Sequence, residues 1–134
     1  MTTGALRFAQ QFAVAGVLCA ASSTSFAFEG KYLVGDESYR QTADIRKSSE
    51  GAYDVTLRVE NRGCAGEFEG RGAVKNGALL IRPKQRYDAT DTCVLTAKRR
   101  GASLSMTEKN DCSAWHGVNC SFEGLYEPAK EGGK

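Results

Sequence analysis

The sequence predicts an all-β protein: a single small antiparallel barrel or sandwich of about eight strands, cross-linked by disulfides. Three observations lead to this fold class. Short segments with strand character recur at the spacing of about 8 to 12 residues that is typical of barrels and sandwiches. Asn76-Gly77 lies between two such segments and is a residue pair favoured in two-residue hairpin turns. Apolar residues at helical spacing do not persist over three turns, so no helix is predicted.

The first 27 residues have the features of a cleaved secretory signal peptide. Arg7 lies in a short polar start, an apolar run follows from Phe12 to Ala21, and the small residues Ser25 and Ala27 occupy the two positions that a signal peptidase reads. About ten apolar residues are too few for a transmembrane anchor, which needs roughly twenty. We therefore expect a periplasmic or secreted protein without a transmembrane segment in its mature chain.

Cleavage after residue 27 leaves 107 of the 134 residues, which is the size of one domain. We assign residues 28–134 to a single β domain with a short flexible tail at about 128–134. Loss of Arg7 leaves 17 Lys and Arg against 16 Asp and Glu, a net charge of +1. This near-neutral balance argues against a nucleic-acid partner, which would require a basic face.

Four cysteines remain in the mature chain, and an even number in a small exported domain indicates two disulfides. The sequence leaves three pairings open. Closure of a short loop favours Cys112 with Cys120, which leaves Cys64 with Cys93. The separations of 29, 19 and 8 residues do not resemble the close ligand pairs of zinc sites, and there is no second histidine, so no metal is predicted.

Strand character can be justified along the chain. The clearest strand is Tyr53 to Glu60, whose odd-numbered residues are apolar and whose even-numbered residues are polar, as in a sheet with one dry face. Asn76-Gly77 joins the next two strands, and Arg100-Gly101 marks a tight reversal between two more. The eight predicted segments are Phe28–Val34, Tyr39–Lys47, Tyr53–Glu60, Ala65–Val74, Ala78–Pro83, Cys93–Arg99, Ala102–Glu108 and Ser121–Glu127.

The triplet Phe-Glu-Gly occurs three times, beginning at Phe28, Phe68 and Phe122. On a strand, Phe and Gly share the inner face and Glu faces water. The outer two copies extend to Phe-x-Gly-x-Tyr, and strands with matching patterns at the two ends of a chain can pair and close a sheet. In the middle copy, alternating glycines from Gly66 to Gly72 either leave space or allow a sharp bend.

Two loops are the candidate contact regions. The connection at 84–92 carries Arg86 and Tyr87, a fork of donors beside an aromatic, which is a combination common at protein interfaces; an ordinary surface loop is the alternative. The segment at 112–120 carries the single tryptophan and the single histidine. Trp115 is expected either to anchor a partner or to plug the barrel end. His116 is the last tentative contact residue, with a hydrogen-bonded imidazole inside the loop as its alternative.

No catalytic residue and no cofactor are predicted. His116 lacks a nucleophile motif around it, and both thiol pairs are taken by disulfides. Glu67 and Glu69 lie on the wet face of a predicted strand, where carboxylates are expected as solvated surface.

The C-terminal region resembles small exported bacterial proteins of the lysozyme-inhibitor type. The resemblance rests on Cys112, then Trp-His-Gly at 115–117, then Cys-x-Phe-x-Gly-x-Tyr at 120–126, and it covers roughly residues 64–126. It implies a periplasmic β-barrel that blocks a muramidase by inserting loop side chains into its cleft. The Ser-Gly-x-x-Tyr and Tyr-x-x-x-Thr-Lys-Gly motifs of inhibitors of chicken-type lysozyme are absent, so no inhibitory residue carries over.

The sequence therefore predicts an exported, non-enzymatic binding protein whose partner is a lysozyme-type enzyme. The alternative is an envelope protein that carries a small apolar ligand or lipid inside its barrel, in the space left by the glycine-rich face.

Overall fold

A computed structural model describes residues 28–48 and 51–130, together with positions 4, 13, 15 and 16. The described chain forms a closed barrel of eight antiparallel strands, so the predicted fold class is confirmed in its barrel form. The predicted signal peptide lies almost entirely outside the described residues. Among those residues, no helix has the length and apolar character needed to cross a membrane.

The eight strands follow one another around the barrel in chain order. They are β1 (Gly30–Gly35), β2 (Tyr39–Lys47), β3 (Tyr53–Asn61), β4 (Cys64–Lys75), β5 (Ala78–Pro83), β6 (Val94–Arg100), β7 (Ser103–Lys109) and β8 (Gly124–Pro128). One helical turn, α1 (Ser113–His116), lies between β7 and β8. All eight predicted segments thus contain a strand.

Alternation along the strands builds the core, as the sequence predicts. Tyr53, Val55, Leu57 and Val59 of β3 are all buried, while Arg58 and Glu60 are exposed. The turn between β4 and β5 is made by Asn76 and Gly77, whose φ angles are 53° and 78°. A two-residue hairpin turn of type I′ requires a positive φ at both positions, and Asn and Gly tolerate it best.

β1 pairs with β8 and closes the barrel, with Tyr32 opposite Pro128 and Leu33 opposite Glu127. The two Phe-x-Gly-x-Tyr motifs adopt the same local structure at the start of β1 and β8. The Tyr32 hydroxyl donates to the Phe28 carbonyl at 2.9 Å, and the Tyr126 hydroxyl donates to the Phe122 carbonyl at 2.8 Å. The intervening glycine has a φ of 147° in the first copy and 153° in the last. A residue with a side chain would be strained at these φ angles, whereas glycine is not.

The glycine-rich face of β4 is filled rather than empty. A Cβ at Gly70 would lie 2.7 Å from the Ile81 Cγ2 and 2.9 Å from the Arg82 carbonyl, and one at Gly72 would lie 2.8 Å from the Leu79 Cδ1. The glycines are therefore where large neighbours approach the strand closely. They do not provide the space on which the ligand-carrier alternative depended.

The disulfide pairing differs from the predicted one. Cys64 is joined to Cys120 and Cys93 to Cys112, with Cα separations of 6.1 and 4.7 Å. The prediction of Cys64 with Cys93 and Cys112 with Cys120 is therefore wrong. Its error was to favour the shortest loop, because partners are set by which strand ends meet at the rim of the barrel.

Both disulfides lie at the same end of the barrel, which we call the loop end. Chain direction alternates around a meander, so the connections at 36–38, 62–63, 84–93 and 110–123 all fall there. The long predicted loops are consequently neighbours. At the other end of β8, Pro128 belongs to the strand and the Ala129 N–H donates to the Lys31 carbonyl at 2.8 Å, so the predicted flexible tail does not begin at 128.

Candidate functional site

The connection between β5 and β6 is held by two aspartates. Asp88 Oδ1 accepts hydrogen bonds from the Thr90 hydroxyl at 2.6 Å and the Thr90 N–H at 2.8 Å, and these bonds lower the pKa of Asp88. Asp91 accepts from the Tyr87 N–H at 2.8 Å and from the Cys93 N–H at 3.0 Å. Because its backbone donors are satisfied within the loop, this connection is ordered without lying in a sheet.

Trp115 joins α1 to that connection. Its Nε1–H donates to Asp91 Oδ2 at 3.1 Å, the same oxygen that receives the Tyr87 N–H. The indole stands edge-on to the Tyr87 ring, with centroids 5.7 Å apart, and edge-on to Phe68 at 5.2 Å. Phe68 is fully buried in the barrel. Trp115 therefore covers the barrel end and also supports the exposed Tyr87.

Between β4 and the β5–β6 connection lies a groove of about 500 Å³, which we call the aromatic groove. Tyr87 is 63% exposed, whereas Trp115 is half-buried. The groove combines two aromatic rings, two carboxylates and three groups that donate hydrogen bonds. Its lining residues are Glu67, Glu69, Lys84, Gln85, Arg86, Tyr87 and Trp115.

His116 lies in the interior and not in the groove. The side chain is 5% exposed, and its Nε2 lies 2.7 Å from Glu108 Oε1, while its Nδ1 lies 2.5 Å from the Gly117 carbonyl. Glu108 Oε1 also accepts the Phe122 N–H at 2.8 Å. His116 was predicted as a tentative contact residue, with a hydrogen-bonded imidazole inside the loop as the alternative, and the structure shows the alternative. Because the side chain is buried, it does not lie on a surface that a partner could contact.

A second polar cluster lies near this pair, beneath the loop end. The buried Gln41 amide donates to the Tyr39 hydroxyl at 2.5 Å and to the Ser121 carbonyl. These contacts attach the segment before β8 to β2. The loop end is thus held from the inside by hydrogen bonds as well as by disulfides.

The predicted contact residues are divided by the structure. Arg86, Tyr87 and Trp115 meet in the aromatic groove, although they come from loops that are distant in sequence. Glu67 and Glu69 are the residues that sequence reasoning set aside, since alternation placed them in solvent without indicating that a loop runs beside them. Val118, at the tip of the 112–120 segment, is 87% exposed and was also missed. An apolar residue between Gly117 and Asn119 was the available signal.

Within the described part of the chain, no three His, Cys, Asp or Glu side chains cluster in a way that could hold a metal ion. Comparison with protein-family models, with curated proteins and with solved structures found no match to this chain.

Proposed function

We propose that this protein is an exported, non-enzymatic binding protein that inhibits a lysozyme-type muramidase by placing loop side chains in the cleft of the enzyme. The observation that carries the proposal is the meeting of Arg86, Tyr87 and Trp115 at the loop end of the barrel. Aromatic residues and arginine are the residue types that most often dominate binding energy at interfaces.

The loop end suits this role because it is ordered before binding. Trp115 is fixed on Phe68 and on Asp91, and Tyr87 is fixed on Trp115, so its exposed ring does not have to be immobilised by a partner. Loops that are already ordered lose less conformational entropy on association. The two disulfides also restrict the loop end, since one joins the 110–123 connection to β4 and the other joins it to the 84–93 connection.

The chemistry of a muramidase cleft also fits. Glycoside hydrolases of this kind use a pair of carboxylates at the scissile bond. Arg86 lies on an exposed loop, and its planar guanidinium can bind a carboxylate through two parallel hydrogen bonds. Tyr87 would occupy the apolar side of a sugar-binding cleft beside it.

A cell-wall turbidity assay tests the proposal. Oxidised mature protein is added in excess to lysozymes of several classes, and we expect at least one class to be inhibited. Tyr87→Ala and Arg86→Ala should each weaken inhibition about tenfold or more, the usual effect of losing an interface anchor. Val74→Ala is the control, because Val74 is 52% exposed but does not line the aromatic groove. Full lysis by every class in the presence of excess protein would disprove the proposal.

A further inference from the structure

The outer face of the β6–β7 hairpin, which we call the hairpin face, carries cations and hydroxyl groups. Its polar positions alternate with buried apolar residues such as Leu95 and Leu104. The outward polar residues are Thr96, Lys98, Arg100, Ser103, Ser105, Thr107 and Lys109. Glu108, the one acidic residue of these two strands, points inward and lies 2.7 Å from the His116 Nε2. Every ionisable side chain on the hairpin face is therefore cationic.

The three cations of the hairpin face have uncharged partners in the sheet: Ser105 opposite Lys98, Ser103 opposite Arg100 and Val94 opposite Lys109. All three side chains are exposed, and within the described chain none of them takes part in an ion pair. Glu123 and Glu127 border the face on the β8 side. Extending the β7–β8 register by one residue places Glu127 opposite Ser103, so β7 separates it from Arg100.

The opposite side of the barrel is organised differently. With eight strands in chain order, β2 and β3 lie across the barrel from β6 and β7. There, Arg46 lies 3.0 Å from Asp44, and Arg58 lies 3.5 Å from Glu67. Arginines on that side thus have carboxylates beside them, whereas the hairpin face keeps a positive potential that attracts an anionic partner.

Leucine side chains flank the hairpin face on both sides. On β8, Leu125 is 51% exposed and lies opposite Ser105. On β5, the half-buried Leu80 lies opposite Thr96 and points outward, since its neighbours Leu79 and Ile81 are buried in the core. Cations and hydroxyl groups therefore occupy the middle of a surface whose two margins are apolar.

We propose that the hairpin face binds a membrane that contains anionic lipids. Each lysine or arginine near such a bilayer strengthens binding about fivefold. The hydroxyl groups of Ser103 and Ser105 can donate hydrogen bonds to phosphate oxygens. Leu80 and Leu125 can enter the boundary between headgroups and acyl chains on either side of them. A soluble polyanion would use the cations but would leave the leucines in water, so a lipid surface fits the face better.

Flotation with vesicles tests this proposal. Oxidised mature protein is mixed at low ionic strength with vesicles of equal parts phosphatidylglycerol and phosphatidylcholine, and with vesicles of phosphatidylcholine alone. We expect the protein to float with the anionic vesicles only. Its affinity should fall about tenfold or more between about 20 and about 200 mM salt, because salt screens exposed charges. Failure to float with anionic vesicles at low salt, or equal binding to both compositions, would overturn the proposal.

The test does not depend on lysozyme inhibition, because none of the residues that line the aromatic groove belongs to the hairpin face. Either proposal can therefore fail while the other stands.

Lys98→Gln combined with Arg100→Gln should weaken binding to anionic vesicles about 25-fold, since two cations are lost. The matched control is Arg40→Gln combined with Arg62→Gln, which removes the same charge from exposed residues across the barrel and should change the affinity less than about threefold. Equal losses in the two double variants would contradict the assignment of the surface.

Leu125→Ser separates a lipid surface from a soluble polyanion. It should weaken binding to anionic vesicles about threefold or more, because an exposed apolar side chain no longer enters the bilayer boundary. Retention on a heparin column, which depends on the cations, should not change. Vesicle binding by Leu125→Ser equal to that of the wild type would indicate a soluble polyanion as the ligand and would overturn the proposal.

Discussion

Replacement of Gly66 by alanine tests how α1 closes the barrel. Gly66 lies on β4 beneath the helical turn, and a Cβ at this position would overlap the Trp115 carbonyl oxygen and come within 2.6 Å of the His116 Cα. Both are backbone atoms, so neither can swing aside as a flexible side chain could. We expect α1 to be displaced from β4 in Gly66→Ala.

The expected loss of stability in Gly66→Ala follows from overpacking. Inserting a methyl group into a closely packed contact costs about 1 to 3 kcal/mol. For a domain of this size, a loss of 1 kcal/mol lowers the Tm by about 4 to 8 °C, so the expected decrease is about 4 to 24 °C. The disulfides at Cys112 and Cys120 limit how far α1 can move, which places the strain on Trp115 and His116.

Thermal unfolding measures the loss of stability in Gly66→Ala, and tryptophan fluorescence measures the displacement of α1. Trp115 is the only tryptophan, so the emission spectrum reports its environment alone and should shift toward that of a more exposed indole. Gly63→Ala is the matched control: it lies in the same hairpin, its closest non-neighbour contact would be Asn61 Oδ1 at 3.5 Å, and its backbone conformation is one that alanine adopts. A Tm for Gly66→Ala within about 1 °C of the Gly63→Ala value, with unchanged emission, would refute the argument.

Three further outcomes are expected. Converting Cys64 and Cys120 to serine should destabilise the protein by up to about 4 kcal/mol, against about 3 for the Cys93–Cys112 pair, because the first disulfide closes the longer loop; denaturant unfolding compares the two. Acid titration followed by circular dichroism should show stability that is present above about pH 3.8 and lost below it, because hydrogen bonds from Ser or Thr lower the pKa of three aspartates: Asp36, Asp88 and Asp111. Burial raises the pKa of Tyr126 and of Tyr32, so stability should fall as the pH rises above about 10; Tyr126→Phe should reduce that dependence and cost about 1 kcal/mol at neutral pH through loss of the bond to the Phe122 carbonyl.

The strands could be predicted because their signals are local. Alternation in β3 and the Asn76-Gly77 turn depend on neighbouring residues alone, and the structure confirms both. Closure between the first and last strands was also predicted, from the matching Phe-x-Gly-x-Tyr phrases. The hydrogen bond from each tyrosine to the carbonyl four residues earlier was not predicted, since the sequence shows that the residues match without showing which atoms meet.

The disulfide pairing could be predicted from the sequence only indirectly, through the register of the strands. In the β6–β7 hairpin, Val94 is opposite Lys109, so continuing the register places Cys93 opposite Asn110 and two residues from Cys112. The hairpin turn alone could therefore have selected the Cys93–Cys112 pair and, by elimination, the other. The burial of His116 could not be found in this way, because Glu108 and Gly117 surround it only after α1 packs on β4.

The distribution of order in the barrel supports the binding surface that we propose rather than the ligand-carrier alternative. At the loop end, a disulfide to Cys64 of β4 and a hydrogen bond from Gln41 of β2 hold the 110–123 connection. The second disulfide and the Asp91–Trp115 hydrogen bond join that connection to the one at 84–93. The seam between β1 and β8 is shorter, with Tyr32 and Leu33 as its register positions, whereas β2 and β3 pair along their whole length. A carrier would need an end that opens to admit its ligand, yet the end with the long loops is the one that covalent bonds hold shut. Order at that end suits the contact surface that we propose, since side chains held in place before association lose little entropy when a partner binds.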